Sequence, residues 1–234
     1  MPGPVALVGS GEYLPVMSDV EATLLAGRPP RYVQLPTAAA EEGPGAVARW
    51  VSLGIEQAER LGVEAVPVMA LDRDSADDEE LARLVDGAGL VYLSGGNPSY
   101  VATTLKDTAV WAAIVAAWQA GAALAGCSAG AIALTSWVPD IRRLESEAGD
   151  GLGVVPGLRV LPHFDRLSAW APGMAESLAE ATPPGETLVG VDEETAIVSD
   201  GEDFSTWRVL GRQSAWVYRD GVRLQHSAGD VISL

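Results

Sequence analysis

Residues 121–135 read Gly-Ala-Ala-Leu-Ala-Gly-Cys-Ser-Ala-Gly-Ala-Ile-Ala-Leu-Thr. The apolar run 122–125 predicts a buried strand, and residues 131–134 the start of a helix. Between them, Gly126-Cys127-Ser128-Ala129-Gly130 has Gly-x-Ser-x-Gly spacing. A strand that turns at once into a helix strains the central residue and lifts its side chain clear of the sheet. Small residues two before and two after let the backbones pass. The helix N-terminus behind Ser128 offers free N–H groups and a positive dipole end, which suit a developing oxyanion. The five letters alone also fit a tight turn with an incidental serine. The strand before and the helix after favour a nucleophile elbow with Ser128 at its apex.

Upstream, strands and helices alternate. Val5-Ala6-Leu7-Val8-Gly9 predicts a first buried strand, and Gly9-Ser10-Gly11-Glu12 a loop. That loop is no phosphate cradle, because neither Gly-x-Gly-x-x-Gly nor a P-loop Lys-Ser/Thr pair is present. Residues 18–26 predict a helix, 31–37 a strand stopped by Pro36, and 45–61 an amphipathic helix. A strand follows at 63–69. The acidic run 72–80 reads as a solvated face leading into a helix through Val85. Residues 89–93 predict a fourth strand, Ser94-Gly95-Gly96-Asn97-Pro98 its loop, and 99–120 one long helix. This order predicts an α/β fold with a doubly wound, mostly parallel sheet and flanking helices. Sites in such sheets form beyond the carboxyl ends of strands. The glycine-rich loops 94–97 and 126–130 both lie there, so they are expected to face one crevice.

Downstream, 151–157 predict turns, 160–165 a strand that ends near His163, and 168–181 a helix. Residues 188–198 read as one strand with Asp192, Glu193 and Glu194 in its middle. Short strands at 206–210, 214–218, 221–224 and 231–234 are expected to pair antiparallel. No repeat or linker is visible, so residues 1–234 are read as a single domain with a β-rich tail from about residue 200.

The composition narrows the function classes. A formal charge of −17 disfavours nucleic acid and anionic membranes as partners. The single cysteine, Cys127, excludes an internal disulfide and a cysteine metal cluster, and two histidines leave little for a histidine metal site. No metal or other cofactor is expected. The N-terminus lacks a basic segment followed by an apolar one, and no apolar run approaches a membrane span, so a cytoplasmic location is expected.

A serine hydroxyl needs a base, and the base needs an orienting acid. His226 lies in a polar segment and reads as a surface residue. His163, at a predicted strand end, is the candidate base. A charge among buried strand positions is expensive unless paired, so one of Asp192, Glu193 and Glu194 is expected to meet a partner, with His163 the obvious one. Strand alternation would send Asp192 and Glu194 to one face and Glu193 to the other; which face looks at His163 is open at this point. Asp140 is a further carboxylate, and also fits a turn after Pro139. For the oxyanion hole, Ala129 supplies one N–H and Gly96 is the candidate for another, since glycine permits close approach. Asn97 and Ser99 in the same loop also fit as helix caps.

Ser94-Gly95-Gly96-Asn97, Gly126-Cys127-Ser128-Ala129-Gly130-Ala131, Pro162-His163-Phe164 and Gly190-Val191-Asp192-Glu193 together resemble the serine peptidases of the peptidase E (aspartyl dipeptidase) and cyanophycinase family, with the tail from Ser214 to Gly221 closest to peptidase E. The resemblance spans most of the chain in the right order. It implies a fold similar to class I glutamine amidotransferases, with Ser128 as nucleophile and His163 as base. It also implies Glu193 as the triad carboxylate with Asp192 the neighbouring alternative, Gly96 and Ala129 at the oxyanion hole, and Asp140 near a second acidic position. The implied substrate is a short peptide, with N-terminal aspartate in peptidase E itself. There an arginine in the loop after the histidine helps read that aspartate. Here Ser168-Ala169-Trp170-Ala171-Pro172-Gly173 is shorter and has none, with Arg166 the nearest substitute.

Two other classes compete. One is a catalytically idle relative acting as a small-ligand-binding or dimeric interaction module, with the C-terminal strands pairing between subunits as a homodimer. The other is a cysteine amidotransferase using Cys127, disfavoured because Cys127 precedes the apex and should pack into the core.

Overall fold

A computed structural model describes residues 1–139, 149–199, 204–219 and 221–234. In chain order the strands are β1 (Val5–Val8), β2 (Arg31–Leu35), β3 (Glu64–Pro67), β4 (Leu90–Leu93), β5 (Ala123–Cys127), β6 (Trp137–Val138), β7 (Gly149–Asp150), β8 (Leu158–Leu161), β9 (Thr187–Val191), β10 (Thr195–Ser199), β11 (Thr206–Gly211), β12 (Ser214–Arg219), β13 (Val222–Ser227) and β14 (Val231–Ser233). The helices are α1 (Ser18–Leu25), α2 (Pro44–Leu61), α3 (Arg73–Ala76), α4 (Glu79–Arg83), α5 (Pro98–Leu105), α6 (Ala109–Gln119), α7 (Ala129–Leu134), α8 (Phe164–Trp170) and α9 (Met174–Glu180).

The main sheet runs β14-β11-β10-β1-β5-β4-β2-β3. Its part from β1 to β3 is parallel, as the strand-helix alternation predicts. β10, β11 and β14 extend it antiparallel. Parallel strands covered on both faces read as continuous apolar runs, and β1, β4 and β5 are buried along their whole length. Alternation then sorts their side chains. Val5, Leu7, Val91, Leu93 and Leu124 join a core under α5, α6 and α7. Ala6, Val8, Tyr92, Ala125 and Cys127 join a second core on the other face, with Val20 and Leu24 of α1 and Ala58 of α2. A smaller sheet, β13-β12-β9-β8, carries α8 and α9 over Phe164, Leu161 and Leu188. No helix among the described residues is long and apolar enough to cross a membrane.

Several stretches differ from the sequence expectation. The strand expected at 160–165 is β8, which stops at Leu161, so that Phe164 and Asp165 belong to α8. The helix expected at 99–120 is two, because Asp107 takes a left-handed backbone and the Thr108 hydroxyl caps α6 by accepting the Trp111 N–H. The helix expected at 168–181 is also two, α8 starting earlier at Phe164 and α9 following the turn at Gly173. The strand expected at 188–198 is likewise split. β9 belongs to the small sheet and β10 to the main one, and Asp192, Glu193 and Glu194 form the link between them. Glu194 takes a positive φ of 53° there. Strand alternation therefore does not govern these carboxylates, and each goes its own way.

Candidate active site

The elbow forms as its spacing requires. β5 ends at Cys127, α7 begins at Ala129, and Ser128 between them has φ 51° and ψ −110°. That conformation is costly for a residue with a Cβ. It persists because the crossing leaves no alternative: a Cβ on Gly126 would lie 2.4 Å from the Gly130 backbone, and one on Gly130 2.4 Å from the Leu93 carbonyl oxygen. Ser128 Oγ stands 3.0 Å from His163 Nε2. His163, in a left-handed conformation just before α8, has its Nδ1 2.9 Å from Glu193 Oε1. The structure thus brings Ser128, His163 and Glu193 into one hydrogen-bonded line.

The line is held from outside. Asp165 Oδ1 accepts the Glu193 N–H at 2.9 Å. Arg166 Nε lies 3.3 Å from Glu193 Oε2 and 3.4 Å from Asp165 Oδ2, and its side chain is mostly exposed. Asp192 turns elsewhere. It accepts the Trp216 indole N–H at 2.9 Å and the Ser214 N–H at 3.2 Å, and burial raises its carboxyl above the ordinary range. Glu194 pairs with Arg212 at 2.8 Å. Asp140 lies outside the described residues. His226 sits on β13 in the small sheet.

Gly96 and Ala129 line the same cavity as Ser128 and His163. Ala129 opens α7, where the first N–H groups have no intrahelical acceptor. Gly96 has φ 141°, and a Cβ there would meet the Ala38 carbonyl oxygen at 2.2 Å, so the loop passes where only glycine fits. Asn97 caps α5 through its side-chain oxygen, which accepts the Ser99 and Tyr100 N–H groups, while its amide nitrogen donates to Glu41 at 2.6 Å. A hydroxyl within reach of an imidazole that a carboxylate holds, at the start of a helix, is an arrangement suited to acyl transfer.

One residue of this neighbourhood escaped the sequence reading. Glu12, read there as part of a loop, is only 6% exposed. One carboxylate oxygen accepts the Gly95 N–H at 2.8 Å, and the other accepts the Cys127 thiol at 2.8 Å. It ties the glycine loop to the strand under the elbow. Cys127 is fully buried, and burial together with the facing Glu12 pushes its thiol well above its ordinary pKa. A thiol held protonated in the core is a poor nucleophile. The nearest sequence signal for Glu12 was its place directly after β1, at the same carboxyl edge as the elbow.

Sheet, elbow and hydrogen-bonded side chains together describe a protein of the serine hydrolase class. The profile of Peptidase family S51 matches residues 5–207, and the chain belongs to that family, the family of peptidase E and cyanophycinase. Among solved structures, a peptidase from an acI-B1 Actinobacterium is 39% identical, with a TM-score of 0.91 over 100% of this chain and 98% of that one. A Listeria monocytogenes EGD-e protein whose description names peptidase E is 18% identical, with a TM-score of 0.63 over 97% of this chain and 100% of that one; at that identity the likeness is one of fold. A search of curated proteins finds no match.

Proposed function

We propose that this S51 peptidase hydrolyses short peptides through Ser128, His163 and Glu193. The observation that carries the reading is the continuous line of 3.0 Å and 2.9 Å contacts from Ser128 through His163 to Glu193. Ser128 Oγ attacks the scissile carbonyl carbon while His163 Nε2 takes its proton. The carbonyl oxygen becomes an oxyanion, which the Gly96 and Ala129 N–H groups stabilise. Its collapse breaks the C–N bond, and His163 returns the proton to the leaving amine nitrogen. Water then adds to the Ser128 ester by the same route, its proton passing through His163 back to Ser128 Oγ. Glu193 holds the imidazole with Nε2 facing Ser128 and stabilises the imidazolium; Arg166 and Asp165 hold Glu193.

A mass-spectrometric screen against di- and tripeptides tests this. Wild-type protein is expected to cleave a subset, and Ser128→Ala to lose ~10,000-fold or more in kcat. Cleavage that survives Ser128→Ala overturns the reading. The aspartate preference implied by peptidase E gains no support from the cavity, because no arginine or lysine is among its described lining residues. The homodimer expected through the C-terminal strands is supported by the outer edge of β13, the end strand of the small sheet, where Val222 and Leu224 are 54% and 46% exposed. Light scattering tests it, with a mass twice that of one chain expected.

A further inference from the structure

The cavity over Ser128 has a volume of about 350 Å³. Apart from Ser128, His163 and backbone, its described wall is apolar, carried chiefly by Ile132, Leu161, Leu167, Trp170, Met174 and Leu178. The nearby cation, Arg166, does not line it and is engaged by Glu193 and Asp165. Trp170 is a large apolar side chain left 64% exposed, with its ring 5.5 Å from the His163 ring. A lone exposed apolar residue needs no explanation. This one is continuous with Met174 and Leu178 in the same cavity, so the exposed surface extends an apolar wall up to the reacting atoms.

We infer that this cavity takes an apolar side chain, of leucine, methionine or phenylalanine size, on the residue whose carbonyl is attacked. The inference rests on the proposed role of Ser128 and names its substrate class. The proposed oxyanion donors Gly96 and Ala129 line the same cavity as Ile132 and Met174. A carbonyl oxygen placed between those donors has its own Cα two bonds away, within reach of the cavity that the same residues line. A carboxylate there gives up its water and meets no cation among the described residues, which is unfavourable. An aliphatic side chain gains by leaving water. In a cavity of this kind a single methylene shifts kcat/KM by roughly 10- to 200-fold.

The test measures kcat/KM for dipeptides X-Ala with X as Leu, Met, Phe or Asp. It adds fluorophosphonate labelling of wild type and Ser128→Ala, and the variant Met174→Arg. The first three substrates are expected to exceed Asp-Ala by about 100-fold or more. Met174→Arg, which sets a cation in the wall, is expected to raise Asp-Ala and lower Leu-Ala, each by about tenfold or more. If circular dichroism shows that variant unfolded, Leu178→Ala replaces it, with Leu-Ala falling about tenfold and Asp-Ala little changed. Asp-Ala cleaved as fast as Leu-Ala overturns the inference. So does labelling of Ser128 without cleavage of any X-Ala, which leaves the serine mechanism standing. Absence of both labelling and cleavage removes that mechanism and the inference with it.

Discussion

At Glu193 and Asp192, two adjacent carboxylates meet different partners. Glu193 touches His163; Asp192 is held by Trp216 and Ser214. Glu193→Gln is therefore expected to lower kcat by ~1,000-fold or more, as the imidazole loses its orienting anion, while Asp192→Asn stays within about tenfold of wild type. Steady-state kinetics on one cleaved peptide checks both. The same assay examines Glu12. Glu12→Ala leaves the buried Gly95 N–H and Cys127 thiol without their acceptor and frees the loop that carries Gly96. The expected result is a fall in kcat of about tenfold or more with KM little changed. At this scale the meeting of Ser128 and His163 was legible as an expectation, because a turn motif and a strand end are local signals. The residue pattern left Asp192, Glu193 and Glu194 open, and only the family resemblance singled out Glu193. Their separation depends on residues 192–194 linking one sheet to another, which no local periodicity reports. Glu12 was unreadable for the same reason, since its burial comes from partners more than eighty residues away.

At the scale of elements, the elbow depends on two glycines more than on the serine between them. Gly130→Ala drives a Cβ into the Leu93 carbonyl. It is expected to cost several kcal/mol, about 3 or more, and to show as a lowered urea midpoint. Asn97→Ala, by contrast, removes a helix cap and is expected to cost about 1 kcal/mol. The strands were legible as elements because strands buried on both faces are continuous apolar runs. The broken helices were not, because α5 and α6 keep apolar residues on both sides of Thr108 and only its cap and the backbone at Asp107 mark the break.

Across the whole molecule, the parallel topology followed from the alternation of strands and helices. The small sheet did not, since its strands come from two separate parts of the chain. One buried group couples the main sheet to pH. Glu21 is 1% exposed and accepts from Tyr32 and Gln57, each at 3.0 Å. Burial, outweighing those hydrogen bonds, pushes its carboxyl from 4.5 up to about 7. Between those values the folded protein keeps a proton that the unfolded chain has released. Stability is therefore expected to fall as pH rises from about 4.5 to about 7, by up to about 3 kcal/mol, and this group's contribution to level off above that. Denaturation in urea across that range checks it. Glu21→Gln, which keeps the acceptor and removes the titration, is expected to flatten the curve.

The most direct measurement of the central claim is to treat the protein with a fluorophosphonate and map the modified residue by peptide mass spectrometry. A single adduct on Ser128, reduced strongly by Glu193→Gln and absent from Ser128→Ala, is the predicted result. An adduct on another residue, or none on folded wild-type protein, would contradict the assignment of Ser128 as the activated nucleophile.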